Sequence, residues 1–160
     1  MLNKSWTITA SIEIPEGDPV EGMVVTHGGI EGGYGLYLRA GKPVFVYNFR
    51  SLDRPTFEAS EALPVGKHEL VVDFKYDGGG VGKGGQVTIK DNGKTIAEGR
   101  LERTVPAQFS LGEGLDVGMD VGTPIDFTYD LPFVFTGKIE KVHFKLGKTD
   151  TGARAAKEPA

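Results

Sequence analysis

The 160-residue sequence has no cysteine, which excludes disulfides, thiolate metal sites, cysteine nucleophiles and iron–sulfur clusters. It has no apolar run of the roughly 18 residues that a transmembrane helix needs. Its first residues, Met1 to Trp6, carry no apolar signal-peptide core and pass directly into an alternating pattern. Excess positive charge is missing too: 18 Lys and Arg face 22 Asp and Glu, for a formal charge of −4. The lysines are mixed with acids and form no basic stripe, so neither nucleic acid nor a membrane is expected as a partner. The chain reads as soluble, and its compartment stays open. Long helices are the last absence, because 24 Gly and 9 Pro break the sequence into short segments.

What remains is a series of strands. Trp6, Ile8, Ala10, Ile12 and Ile14 alternate with Ser5, Thr7, Thr9, Ser11 and Glu13, the mark of a half-buried strand. Met23 to Thr26 gives another, closed by His27-Gly28-Gly29. Tyr34 to Arg39 and Lys42 to Phe49 read as a hairpin about Ala40-Gly41, pairing Leu38 with Pro43, Leu36 with Phe45 and Tyr34 with Tyr47. Leu70, Val72, Phe74 and Tyr76 alternate again, and Asn92-Gly93 is a type I′ hairpin signal. The last strand turns Val142, Phe144 and Leu146 inward. About ten strands and no helix predict an all-β fold, a two-sheet antiparallel β-sandwich. A single domain is expected over 1–147, with a flexible tail over 148–160 that has no large apolar residue.

The order of loops adds a resemblance. Gly35-Leu36-Tyr37-Leu38, Gly41-Lys42-Pro43-Val44-Phe45, Leu63-Pro64-Val65-Gly66-Lys67-His68, Asp91-Asn92-Gly93-Lys94, Phe109-Ser110-Leu111-Gly112 and Phe135-Thr136-Gly137-Lys138-Ile139 are similar in order to concanavalin A-like and laminin-G-like jelly rolls. Tyr76 to Gly85, Glu98-Gly99-Arg100 and Asp116 to Pro124 resemble the C-terminal β-sandwich domain of large bacterial arylsulfatases. That resemblance implies a non-catalytic accessory domain that packs beside an active site, shapes substrate access or mediates assembly. Its partner would be a sulfatase catalytic domain or a second copy. Sulfatases use a formylglycine made from Cys or Ser in a Cys/Ser-x-Pro-x-Arg motif. Here Cys is absent and Ser51-Leu52-Asp53-Arg54-Pro55 puts Pro and Arg in the wrong places, so this chain alone is not expected to be an enzyme.

Other motifs resolve into ordinary chemistry. Gly82-Lys83 is followed by Gly84 and a strand, where a phosphate loop needs Ser or Thr and a helix, so Gly78 to Gly85 reads as an inter-strand turn. Glu98 and Glu102 would stand about 13 Å apart on a strand, beyond glycosidase spacings of about 5–9.5 Å, so a glycan hydrolase would need another acid pair. His27, His68 and His143 are too scattered for a local zinc set.

The candidate metal ligands are Asp116, Asp120, Asp126 and Asp130. Calcium takes about six to eight oxygen ligands, and Gly118, Gly122 and Pro124 allow this segment to fold back on itself. The same aspartates also suit turn caps. With Ca2+ bound, the chain would be a calcium-dependent, lectin-like carbohydrate-binding module with a glycan partner, the rival to the accessory-domain reading. The hairpin itself is apolar on both faces. Tyr34, Phe45, Tyr47 and Phe49 suit the core, while Tyr37, Val44 and Val46 line the reverse. An exposed outer face would alternate more cleanly, so Tyr37, Val44 and Val46 are expected to dock against a catalytic domain or a second copy.

Overall fold

The computed structural model describes residues 1–110, 112–150 and 152. In chain order its strands are β1 (Trp6–Ile14), β2 (Gly22–Gly29), β3 (Gly32–Arg39), β4 (Lys42–Asn48), β5 (Thr56–Glu58), β6 (Gly66–Tyr76), β7 (Lys83–Asp91), β8 (Lys94–Arg103), β9 (Leu115–Val117) and β10 (Lys138–Leu146). They form two antiparallel five-stranded sheets, a back sheet ordered β10-β1-β6-β7-β8 and a front sheet ordered β5-β4-β3-β2-β9. No helix among the described residues is long and apolar enough to cross a membrane.

Local chemistry sets the register. Ala40 and Gly41 have φ of 50° and 76°, and Asn92 and Gly93 have 47° and 86°, the positive pair that a type I′ turn demands. The β3–β4 ladder pairs Leu38 with Pro43, Leu36 with Phe45 and Tyr34 with Tyr47, as the alternation predicts. Trp6 packs between the sheets, with its ring 5.4 Å from Phe74, 5.6 Å from Phe45 and 6.0 Å from Tyr34. Around it Ile8, Ile12, Leu36, Leu70 and Ile89 are fully enclosed. Each such side chain contributes about 1.5–3 kcal/mol by leaving water.

The outer face of the front sheet is also enclosed, and this corrects an expectation. Tyr37, Val44 and Val46 are 0% exposed and form a second apolar cluster with Met23 and Ile125. Tyr129 and Phe133 close it from outside, stacked on each other at 4.3 Å and edge-on to Tyr37 at 5.5 and 5.6 Å. The cover comes from the chain's own segment between β9 and β10, so no separate domain or second copy is needed on these residues. Two carboxylates fasten it. The Tyr37 hydroxyl donates to Asp126 at 2.9 Å, and the Tyr129 hydroxyl donates to Asp120.

The expected tail is tied back where it is described. Asp150 donates its N–H to Asn3 O at 2.7 Å and accepts the Gly79 N–H at 3.1 Å. Thr151 and residues 153–160 of that tail, and Leu111 of the Phe109–Gly112 motif, lie outside the described residues.

Asp120 gives a pH test of the cover. Burial raises its carboxyl above the usual 3.8; the Tyr129 hydrogen bond opposes this, and the charges of Glu113 and Asp116 add to it. The native state then holds this proton more tightly than the unfolded chain, so stability falls as pH rises from the unfolded value through the folded one. Asp120→Asn keeps an acceptor for Tyr129 and removes the ionisation. Chemical denaturation between pH 3.5 and 7 is expected to show a shallower fall for the variant, whereas an unchanged slope would refute this role. Phe133→Ala, which opens the outer cluster, is expected to cost about 2–4 kcal/mol in the same assay.

Candidate functional site

The loops converge at one end of the sandwich. The β2–β3 turn holds Ile30 and Glu31, the β4–β5 loop follows Asn48, and the segment after β8 returns across both. Phe109 on that segment closes the core, with its ring 5.3 Å from His27, 5.7 Å from Tyr34 and 6.1 Å from Tyr47. The Val105 N–H donates to the Tyr47 hydroxyl at 2.8 Å and fixes the start of the segment. Burial, with the N-terminal ammonium adding to it, lowers the pKa of His27, whose ring packs edge-on to Phe109.

A cleft of about 490 Å³ opens here, lined by Glu31, Arg50, Ser51, Ala107, Gln108, Phe109 and Ser110. A second lobe of about 320 Å³ shares Glu31 and Ser110 and adds Ile30, Gly112, Glu113 and Thr123. Both volumes fall in the range of small-ligand sites.

Asn48 organises the cleft. It is fully buried, and its amide donates to Gly29 O at 2.7 Å and Ile30 O at 3.1 Å. Its carbonyl oxygen accepts the Ser51 N–H at 2.9 Å. Ser51 in turn donates its hydroxyl to Ile30 O. These bonds hold Arg50 and Ser51 at φ of 49° and 61°, a left-handed pair without glycine that costs on the order of 1–3 kcal/mol per residue. Strain of this kind persists only where the surroundings impose it, and here it sets Arg50 at the mouth of the cleft.

The second lobe is fixed by Glu113, whose carboxylate accepts the Thr123 N–H and, at 2.6 Å, the Thr123 hydroxyl. Thr123 Oγ1 accepts the Ile30 N–H at 2.8 Å, tying the lobe to the β2–β3 turn. Gly29 sits against this carboxylate so closely that a side chain there would collide with it.

The four aspartates proposed from the sequence are not brought together. Asp120 and Asp126 are buried and accept from tyrosines. Asp116 lies in β9 opposite Thr26, and Asp130 is exposed. Among the described residues no group of three or more acidic or histidine side chains could hold a metal ion. The expected convergence fails because two of the carboxylates are already committed to the outer cover. Glu98 and Glu102 are exposed on β8. His68 is buried, with its ring nitrogens 2.7 Å from Asp91 and from Pro64 O, where it latches the β5–β6 connection.

Sequence reasoning missed Glu31, Arg50, Ser51 and Gln108. The available signal was Asn48, a polar residue ending an otherwise apolar strand.

No protein-family model matches the chain, and no curated protein sequence matches it. Solved structures do. The chain is similar to the CBM40 of a Ruminococcus gnavus IT-sialidase, with a TM-score of 0.60 at 16% identity over 89% of this chain and 76% of that one. The same module bound to α2,3-sialyllactose gives 0.59 at 14% identity over 88% and 75%. The LG1-3 region of the laminin α2 chain gives 0.55 at 13% identity over 89% of this chain and 28% of that one. The fold is a concanavalin A-like, laminin-G-like jelly roll. At such identities the likeness is one of fold. The arylsulfatase resemblance rests on the sequence motifs alone, and the jelly roll by itself does not favour it.

Asn48→Ala would leave Gly29 O and the Ser51 N–H without this partner and would remove one of the two donors to Ile30 O. A loss of about 2–3 kcal/mol is expected, with amide shift changes concentrated at 29–32 and 49–52. Changes spread evenly over the sheet would argue against a local organising role.

Proposed function

We propose that this chain is a non-catalytic, glycan-binding β-sandwich module whose sugar site is the two-lobed cleft at its loop end. The observation that carries the reading is the strained Arg50–Ser51 pair held by buried Asn48, because it fixes polar groups at the mouth of a cleft of ligand size. Gln108, Ser110 and Glu31 supply donors and acceptors suited to hydroxyls. The fold it shares with a carbohydrate-binding module solved with a bound oligosaccharide supports the same reading. Among the described residues the carboxylates lining the cleft are Glu31 and Glu113, and Glu113 accepts from Thr123, so these residues offer no free pair for glycoside chemistry there. Calcium is not part of this proposal, since Asp120 and Asp126 serve the outer cover.

A second reading, an accessory domain beside a catalytic partner such as a sulfatase, is favoured by a different observation. Leu115, Val117, Met119, Val121 and Val134 are each more than 40% exposed along the β9 edge of the front sheet. Exposed aliphatics concentrated in one place mark contact surfaces. Val117→Lys is expected to weaken association with such a partner and leave sugar binding unchanged.

The main test is a two-dimensional amide spectrum recorded with a panel of neutral and acidic oligosaccharides. Binding is expected to shift residues 30–31, 50–51 and 107–110, with and without a chelator. A panel that shifts none of them would sink the proposal, and shifts abolished by the chelator would restore a calcium site.

A further inference from the structure

We infer that Arg50 reads an oxyanion, so that the sugar this cleft takes carries a carboxylate or sulfate substituent. The inference rests on the glycan-binding reading above and names its ligand class. It starts from where the guanidinium groups of the chain are spent. Arg39 pairs with Glu58 at 3.3 Å and Arg100 pairs with Asp77. Arg54 donates to Ile125 O at 3.1 Å and lies 4.4 Å over the Phe127 ring. Arg103 lies 4.1 Å over Phe49. Arg50 alone of these has no such partner among the described residues, although Glu31 lines the same cleft.

An arginine left unpaired on a flexible loop would mean little. Arg50 is different because its backbone is held in the left-handed region by the Asn48 network, so its side chain leaves from a fixed point into the cleft. A guanidinium presents a rigid fork of donors that matches the paired oxygens of a carboxylate or sulfate, and such charge-assisted bonds are about twice as strong as neutral ones. Two further cations follow on the Phe49 side, while the cleft lining itself also carries Glu31 and Glu113. Arg103 is seated on Phe49, the residue before Arg50, and Lys83 stands directly opposite Arg103 in the β7–β8 ladder. Hydroxyls of the same sugar are left for Gln108 and Ser110.

The test is calorimetric titration of the full chain with lactose, 3′-sialyllactose and 3′-sulfated lactose at low salt. At least one acidic sugar is expected to bind tenfold or more tightly than lactose, with the advantage shrinking as salt rises. The preferred acidic sugar identifies the oxyanion as carboxylate or sulfate. Arg50→Gln is expected to abolish that advantage and keep the parent unfolding temperature, since the side chain is exposed. Arg50→Lys, which keeps the charge and loses the fork, should retain part of it. Glu31→Gln should strengthen binding of the acidic sugar. Equal binding of lactose and both acidic sugars would overturn the role of Arg50 and leave the glycan reading standing. Failure of all three, together with a silent neutral panel, would overturn both.

Discussion

A sheet that is apolar on both faces must be covered twice, and this constraint shapes the whole molecule. The β3–β4 hairpin sends Leu36 and Phe45 one way and Tyr37, Val44 and Val46 the other. The back sheet covers the first face. The second is closed by chain from between β9 and β10, a stretch without long strands of its own. Such a stretch needs polar anchors, because its backbone cannot pair with a full ladder. Asp120 and Asp126 supply them by accepting tyrosine hydroxyls at the edge of the apolar cluster. Carboxylates that look in sequence like metal ligands are here the fastenings of a lid.

The same wrapping builds the cleft. To reach the outer face, the chain leaves β8, crosses the end of the sandwich with Phe109 inserted into the core, and only then enters β9. That crossing lies against the β2–β3 turn and the β4–β5 loop, and the space between them is the cleft. Its rigidity follows from buried hydrogen bonds to backbone groups. Asn48 replaces the partners that the ladder cannot offer beyond its last rung.

Strands and hairpins were legible because each carries its own signal. Alternation in Trp6–Ile14 and the turn pairs Ala40-Gly41 and Asn92-Gly93 are local, and the register follows from them. The double-sided hairpin was equally plain, but its outer face was assigned to a catalytic domain or a second copy, whereas the chain covers it itself. What could not be read was the identity of the cover, since Ile125, Tyr129 and Phe133 lie more than 75 residues along the chain from Val46 and share no periodic pattern with it. The cleft was hidden for a related reason. Arg50 and Ser51 adopt a conformation usually signalled by glycine, and a local turn anchored by long-range bonds from Asn48 holds them there.

The ends of the domain lie together. Gly147 donates to Ser5 O at 2.8 Å, and Trp6 at the start of β1 pairs with Leu146 at the end of β10. A pull applied through both ends therefore loads the β1–β10 ladder at its first rung and opens it one bond at a time, as a zipper, where a shear geometry would load every rung at once. The front sheet is not in that line of force. Under tension the molecule would yield first along its back edge, where β10 is the outermost strand.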